Sequence, residues 1–348
     1  MTRVRWIDSC RFFAIFVIMF THFLADLRPA ALSLWETMPG WLFLGGLTGK
    51  FSVAFFFVLL GCFASAPQAF SLSRFAAYGL RRYLQFVFFI LLTTLFCIAG
   101  CYGVTWLFHS QDAGAARVIS DGFAYNLIYL LRDSFLFEDN YNPTLWCMQQ
   151  LFLASLLCRL FASLTEKRSP APRIPLCLIV IGLLMLPGRG RFVWIAAAML
   201  GVLLRLVLSV LREKAAPKPA LLVVLFLLAV CCIKAPLAES PLLYALEGIG
   251  AFLLLFVLFH VPWAQALLER QPLPRLGGVS MGLFVVHSPV SSLLFSLLSR
   301  FVALESLSPP GLLALFIVLF FLCLICAVLL HRAYSALSRR MPRERVGV

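Results

Sequence analysis

Residues 310–332 read PGLLALFIVLFFLCLICAVLLHR, with no charged side chain between Pro310 and His331. A run of about 20 apolar residues is the length at which a helix crosses the hydrocarbon core of a bilayer. Lipid offers no partner for a free N–H or C=O, so the run must be helical. Nine further runs read the same way, at roughly 6–27, 50–69, 83–108, 144–164, 174–187, 190–211, 219–235, 241–262 and 278–301. The run 174–187 is short and ends at Pro187-Gly188. Segment 121–137 is interrupted by Arg132 and Asp133 and reads as an interfacial or re-entrant helix rather than a span. The expected fold class is therefore all-α: a polytopic integral membrane protein with about ten transmembrane helices.

Composition agrees with that fold. The 348 residues are 62% hydrophobic and 13% charged, and mean hydropathy is +0.97. A soluble domain would expose too much apolar surface at that composition. One transmembrane domain over residues 1–348 is expected, ending in a short basic cytoplasmic tail at 339–348. The net charge of +14 does not imply nucleic acid, because the basic residues sit at the ends of apolar runs and not on one patch. With the N-terminus inside, eight of the 29 Lys and Arg fall outside: Arg28, Lys50, Arg117, Arg132, Arg189, Arg191, Lys234 and Arg300. The other 21 lie on the cytoplasmic side. That asymmetry predicts both termini in the cytoplasm, N-in/C-in. Most of the 11 cysteines sit inside apolar runs, where a thiol packs as a small hydrophobe. The first apolar run has no small-residue cleavage site and is expected to remain as an anchor.

Ionisable groups inside a span are costly and direct attention to function. In the first helix, Arg11 and His22 are eleven residues apart. Eleven residues make three turns plus about 20°, so both side chains lie on one face, about 16 Å apart. Asp8 precedes Arg11 by three residues and is placed to pair with it. The competing reading has Arg11 reaching to the headgroups and His22 capping the outer end of the helix. His287 is a second deep imidazole, in Leu276-Gly277-Gly278-Val279-Ser280 through His287-Ser288-Pro289. The glycines permit close helix approach, and Pro289 frees a backbone carbonyl. A single interhelical hydrogen bond without chemistry is the alternative for His287. Helices one and nine are expected to meet so that His22, His287 and Arg11 border one polar pocket, with Gly278 and Gly282 allowing the approach. His109, His260 and His331 fall at helix ends and read as interfacial. Trp41, Trp106 and Trp194 read as aromatic-belt anchors. No phosphate loop, zinc spacing or serine-hydrolase elbow is present.

These residues resemble the membrane acyltransferase-3 family. The Arg11-x10-His22 pair after Ile7-Asp8 resembles that family's first-helix signature. Ser52-Val-Ala-Phe55-Phe56-Phe57-Val58-Leu-Leu60-Gly61 resembles its aromatic stretch, and Arg81-Arg82-Tyr83 its basic segment at the start of the third helix. Asn142-Pro143-Thr144-Leu145-Trp146 and the Leu276–Pro289 block resemble two later motifs. The order covers residues 6–290. Leu60 stands where the family usually has Ser, Met281 replaces the usual Tyr, and Cys147-Met148-Gln149-Gln150 lacks the acidic residue many members carry.

The resemblance implies an acyltransferase that moves an acyl group, commonly acetyl, from cytoplasmic acyl-CoA to a hydroxyl of a glycan or lipid-linked sugar of the cell envelope. It implies His22 and Arg11 as catalytic residues, and Arg81, Arg82, His287, Ser280, Trp146 and Asn142 as substrate-binding positions. Acetyl-CoA enters as donor substrate; no bound cofactor and no metal is expected. The implied location is a bacterial inner membrane, crossed many times and in contact with its lipids. Imidazole matches the need of a weak hydroxyl nucleophile for a base near neutral pH. Guanidinium groups at the cytoplasmic mouth suit the phosphates of the donor. A transporter or flippase with a buried Arg/His site is the alternative, though no inverted repeat is visible.

Overall fold

The computed structural model describes residues 5–27, 49–64, 70–108, 113–211, 217–233 and 240–339. Among these residues there is no β-strand. The helices are α1 (Arg5–Asp26), α2 (Gly49–Cys62), α3 (Leu72–Phe108), α4 (Ala113–Leu136), α5 (Met148–Thr165), α6 (Pro170–Met185) and α7 (Gly190–Leu211). They continue with α8 (Pro219–Ile233), α9 (Pro241–Phe259), α10 (Pro262–Leu268), α11 (Leu273–Gly278), α12 (Ser280–Leu298) and α13 (Pro309–Ser338). Short 3₁₀ turns cover Pro143–Cys147 and Leu304–Ser306. Five helices open on proline, whose fixed φ suits the first turn and whose missing N–H is not needed there.

Among the described residues, each of the ten apolar runs overlaps a helix. Seven helical stretches are long and apolar enough to cross a membrane: α1, α3, Pro143–Thr165, α7, α9, α12 and α13. The apolar helices α2, α6 and α8 are shorter. Helix α4 is broken at Gly122, whose φ of 69° leaves the helical region. Helix α6 stops before Pro187, and Gly188 turns the chain with φ of 60°.

Two boundaries differ from the sequence expectation. Helix α3 starts at Leu72, not at 83, so Arg81 and Arg82 lie inside a helix instead of at its start. At 37 residues it is roughly 55 Å long, against about 30 Å of hydrocarbon. Helix α13 runs to Ser338, two turns past His331, which is therefore not at a helix end. The reason is the same in both cases. Hydropathy marks where lipid begins, whereas backbone hydrogen bonding continues until a breaker arrives, and none interrupts Leu72–Leu84 other than Gly79 or Ala327–Ser338.

The chain divides into two compact units. The first comprises the described residues of Met1–His22, Trp35–Arg82 and Cys147–Gly277. A long, tight seam joins α2 to α7. A Cβ added at Gly61 would lie 1.7 Å from the Ala198 carbonyl oxygen, and one at Gly201 would lie 1.9 Å from that of Val58. The two backbones touch, which is the use of small residues in lipid, where no hydrophobic drive presses helices together. Trp194 is not a belt anchor. It is 3% exposed and stacks on Phe57 and Tyr244, with ring centroids at 5.9 and 5.0 Å. Trp106 is exposed, and Trp41 lies outside the described residues.

The second unit comprises the described residues of Phe23–Leu34, Tyr83–Trp146 and Gly278–Val348. Phe23 packs against Phe295 of α12 and Phe316 of α13. Gly282 lets α12 approach α13, since a Cβ there would lie 3.0 Å from the Ala327 carbonyl oxygen. Its close neighbour is thus α13, not the first helix as the sequence reading expects. On α13 one stripe is buried (Leu312, Leu315, Phe316, Leu319, Cys323, Ala327, Leu330), while Ile317, Val318, Phe321, Ile325 and Leu329 face outward. Apolar on both faces is the pattern of a helix at a protein–lipid boundary.

Candidate functional site

In the first unit the polar face of α1 is as the spacing requires. The helix is unbroken from Arg5 to Asp26, so the Arg11–His22 geometry of about 16 Å along one face holds. Asp8 is 4% exposed and its Oδ1 accepts from Arg11 Nη1 at 3.0 Å. The Ser9 hydroxyl donates to the Leu268 carbonyl at the end of α10. Gly277 closes this corner: a Cβ there would lie 1.7 Å from the Asp8 carbonyl oxygen. The glycine of the Leu276-Gly277 motif is therefore needed for contact with the turn that holds Arg11. His22 is half-buried. On α3, Arg81 is exposed and Arg82 half-buried.

In the second unit His287 is 2% exposed, on α12. Its Nδ1 lies 2.7 Å from the Phe284 carbonyl oxygen. A carbonyl only accepts, so Nδ1 carries the hydrogen, and in the neutral ring Nε2 is then the basic nitrogen. Two residues on, Pro289 has no N–H to give to the carbonyl of Val285. Asn142 supplies that missing donor: its Nδ2 lies 2.8 Å from the Val285 oxygen. The Asn142 Oδ1 accepts in turn from the Thr144 N–H at 3.2 Å and the Thr144 hydroxyl at 2.6 Å. Asn142 is fully buried, and its amide ties the segment that opens the Pro143–Cys147 turn to the proline-bearing part of α12. One turn beyond His287, the Ser291 hydroxyl donates to Asp26 Oδ2 at 3.3 Å, where α1 ends. Ser280 is buried at the start of α12, and Trp146 is half-buried in the 3₁₀ turn.

The loop before Asn142 is stapled by Asp133. This carboxylate, buried at 0% exposure, accepts from the Asn140 backbone N–H at 3.1 Å, the Asn140 side-chain amide at 2.7 Å and the Tyr141 N–H at 3.2 Å. Burial pushes its pKa up, opposed by those three hydrogen bonds. Its neighbour Glu138 is held below the usual carboxylate range by the Asn140 amide and by Arg132, which pairs with it at 2.9 Å. Phe137, directly after α4, has a φ of 59°, outside the helical region.

Of the residues singled out in the sequence, Arg11, His22, Arg81 and Arg82 belong to the first unit. Asn142, Trp146, Ser280 and His287 belong to the second, where Asn142 reaches the His287 helix directly. Sequence reasoning missed Glu247, a carboxylate 1% exposed in the apolar helix α9, although the rule that drew attention to the histidines applies to it equally. It also missed the role of Asp133 in holding the Asn140–Tyr141 loop, and the pairing of Asp26 with Ser291, a contact between residues 265 apart that no local pattern encodes.

A family model described as an acyltransferase domain, that of the acyltransferase-3 family, matches residues 4–332, nearly the whole chain. No curated protein and no solved structure gives a significant match.

Proposed function

The chain belongs to the acyltransferase-3 family and is a membrane acyltransferase, and from that premise we propose that it moves an acyl group, acetyl in the simplest case, from cytoplasmic acyl-CoA to a hydroxyl of a glycan or related envelope acceptor. The observation that supports this reading is α1 itself. One unbroken helix carries a cation fixed by a buried carboxylate near its start and a half-buried imidazole three turns along the same face.

In this reading His22 takes the acceptor hydroxyl proton as the oxygen attacks the thioester carbonyl. The C–O bond forms, the C–S bond breaks, and the leaving thiolate recovers the proton from the imidazolium. Arg11, together with Arg81 and Arg82, supplies positive charge for the anionic donor. His287 orients the acyl carbonyl or the acceptor, with Asn142 holding its helix. The basic-residue asymmetry supports both termini lying in the cytoplasm, and the likeness to the family supports a bacterial inner membrane.

The test uses membranes carrying the full chain and radiolabelled acyl-CoA. His22→Ala is expected to lower transfer by 10²-fold or more, the scale of a lost general base. Near-normal transfer by a folded, inserted His22→Ala protein removes the base assignment. The mass difference of envelope glycans between wild-type and deletion cells identifies the acceptor.

A further inference from the structure

Two arginines that this mechanism does not use stand together in the first unit. Arg173 lies in the first turn of α6, and Arg205 lies six residues before the end of α7. The two helices are antiparallel neighbours. The Cys177 thiol, donating to the Met199 carbonyl at 3.4 Å, sets their register. One turn further along each helix, Arg173 comes opposite residue 203, beside Arg205. The two guanidinium groups are within electrostatic reach of each other, and like charges so placed repel.

Among the described residues neither group has the acceptors it needs. Arg205 donates through Nη1 to the Ala64 carbonyl, beyond the end of α2, and makes no other hydrogen bond among the described residues. Arg173 makes none, and its Nε is buried. Each guanidinium carries five N–H donors. The acid within reach of Arg173 is Glu166, which forms no ion pair with it among the described residues. Arg159, Lys167 and Arg168 add to the positive field on this end of the helices. Two half-buried forks that repel each other and lack acceptors fit an anion with several oxygens, and the fork geometry matches phosphate.

We propose that Arg173 and Arg205 form a phosphate-binding site, filled either by the nucleotide end of the acyl-CoA donor or by an anionic lipid headgroup. The first source rests on the acyl-CoA reading above; the second does not.

The test uses the purified full chain in nanodiscs of zwitterionic lipid. One arm measures equilibrium binding of coenzyme A. The other measures phosphatidylglycerol retained on the protein, by mass spectrometry, after exchange from mixed nanodiscs. Arg173→Gln and Arg205→Gln are expected to weaken coenzyme A binding at least tenfold, with Arg→Lys at either position intermediate. Unchanged coenzyme A binding with loss of retained phosphatidylglycerol assigns the site to lipid. If the wild-type protein binds no coenzyme A, the donor reading fails and the lipid arm alone decides the site. Variants that match wild type in both arms overturn the site and leave the donor reading standing. Should the Gln variants not fold, the Lys variants decide, and wild-type behaviour in both arms again overturns it.

Discussion

The link from Asn142 to the Val285 carbonyl makes a prediction that reaches beyond a single substitution. In Asn142→Ala the Val285 oxygen has no donor, because Pro289 cannot supply one. A buried carbonyl left unsatisfied costs ~1–3 kcal/mol. The Thr144 N–H and hydroxyl lose their acceptor as well, at a site 1% exposed. Side-chain hydrogen bonds inside membranes average ~0.6 kcal/mol each, so the three lost here come to ~2 kcal/mol, within the same range. A total of ~1–3 kcal/mol follows. With an unfolding entropy of ~2 cal/mol/K per residue over 348 residues, that lowers the midpoint by ~1–4 °C. The decisive step is a second substitution. Pro289→Ala returns an N–H four residues beyond Val285, so in the Asn142→Ala background it is expected to recover ~1 kcal/mol. In the wild-type background it recovers nothing, since Asn142 already occupies the oxygen. Thermal unfolding followed with a thiol-reactive dye reads the cycle directly, because most of the free cysteines are buried. Additive effects of the two substitutions would refute the argument that Asn142 serves the carbonyl Pro289 leaves open.

Gly201→Val is expected to abolish folded protein or cost ~3 kcal/mol or more, as the new side chain meets the Val58 carbonyl. Gly182→Ala on α6, with nothing within 4 Å of the new methyl, is expected to be neutral or to stabilise by up to ~1 kcal/mol; equal outcomes in a detergent melt would contradict the seam. Asp133 has a raised pKa, so its charged form is the costly one: its contribution is most favourable below the ordinary value of 3.8 and declines as pH rises through the raised value. Melting curves should therefore show wild type losing ground to Asp133→Asn as pH climbs from about 4, and a pH-independent difference would count against it. Glu138, with its lowered pKa, works the other way, its contribution being lost as pH falls through the lowered value.

Much of this chain is written in local pattern. The apolar runs appear as helices among the described residues, seven of the helices long and apolar enough to cross a membrane, because in lipid a run of that length has only one way to satisfy its backbone. The Asp8–Arg11 pair and the shared face of Arg11 and His22 followed from spacing, since a helix turns the same way wherever it forms. Pattern failed where the cause was a distant partner. Trp194 reads as an interface residue until Phe57 and Tyr244 are seen on either side of it. Gly277 and Gly282 look alike in sequence, yet one admits the Asp8 carbonyl and the other the backbone of α13. Pro289 announced a free carbonyl but could not say that Asn142, 143 residues from Val285, would take it. Helical periodicity is a property of a few consecutive residues and is legible one turn at a time. Which helix lies against which is set by how whole faces pack, so the partners of Trp194, Gly282 and Val285 had to come from the folded chain.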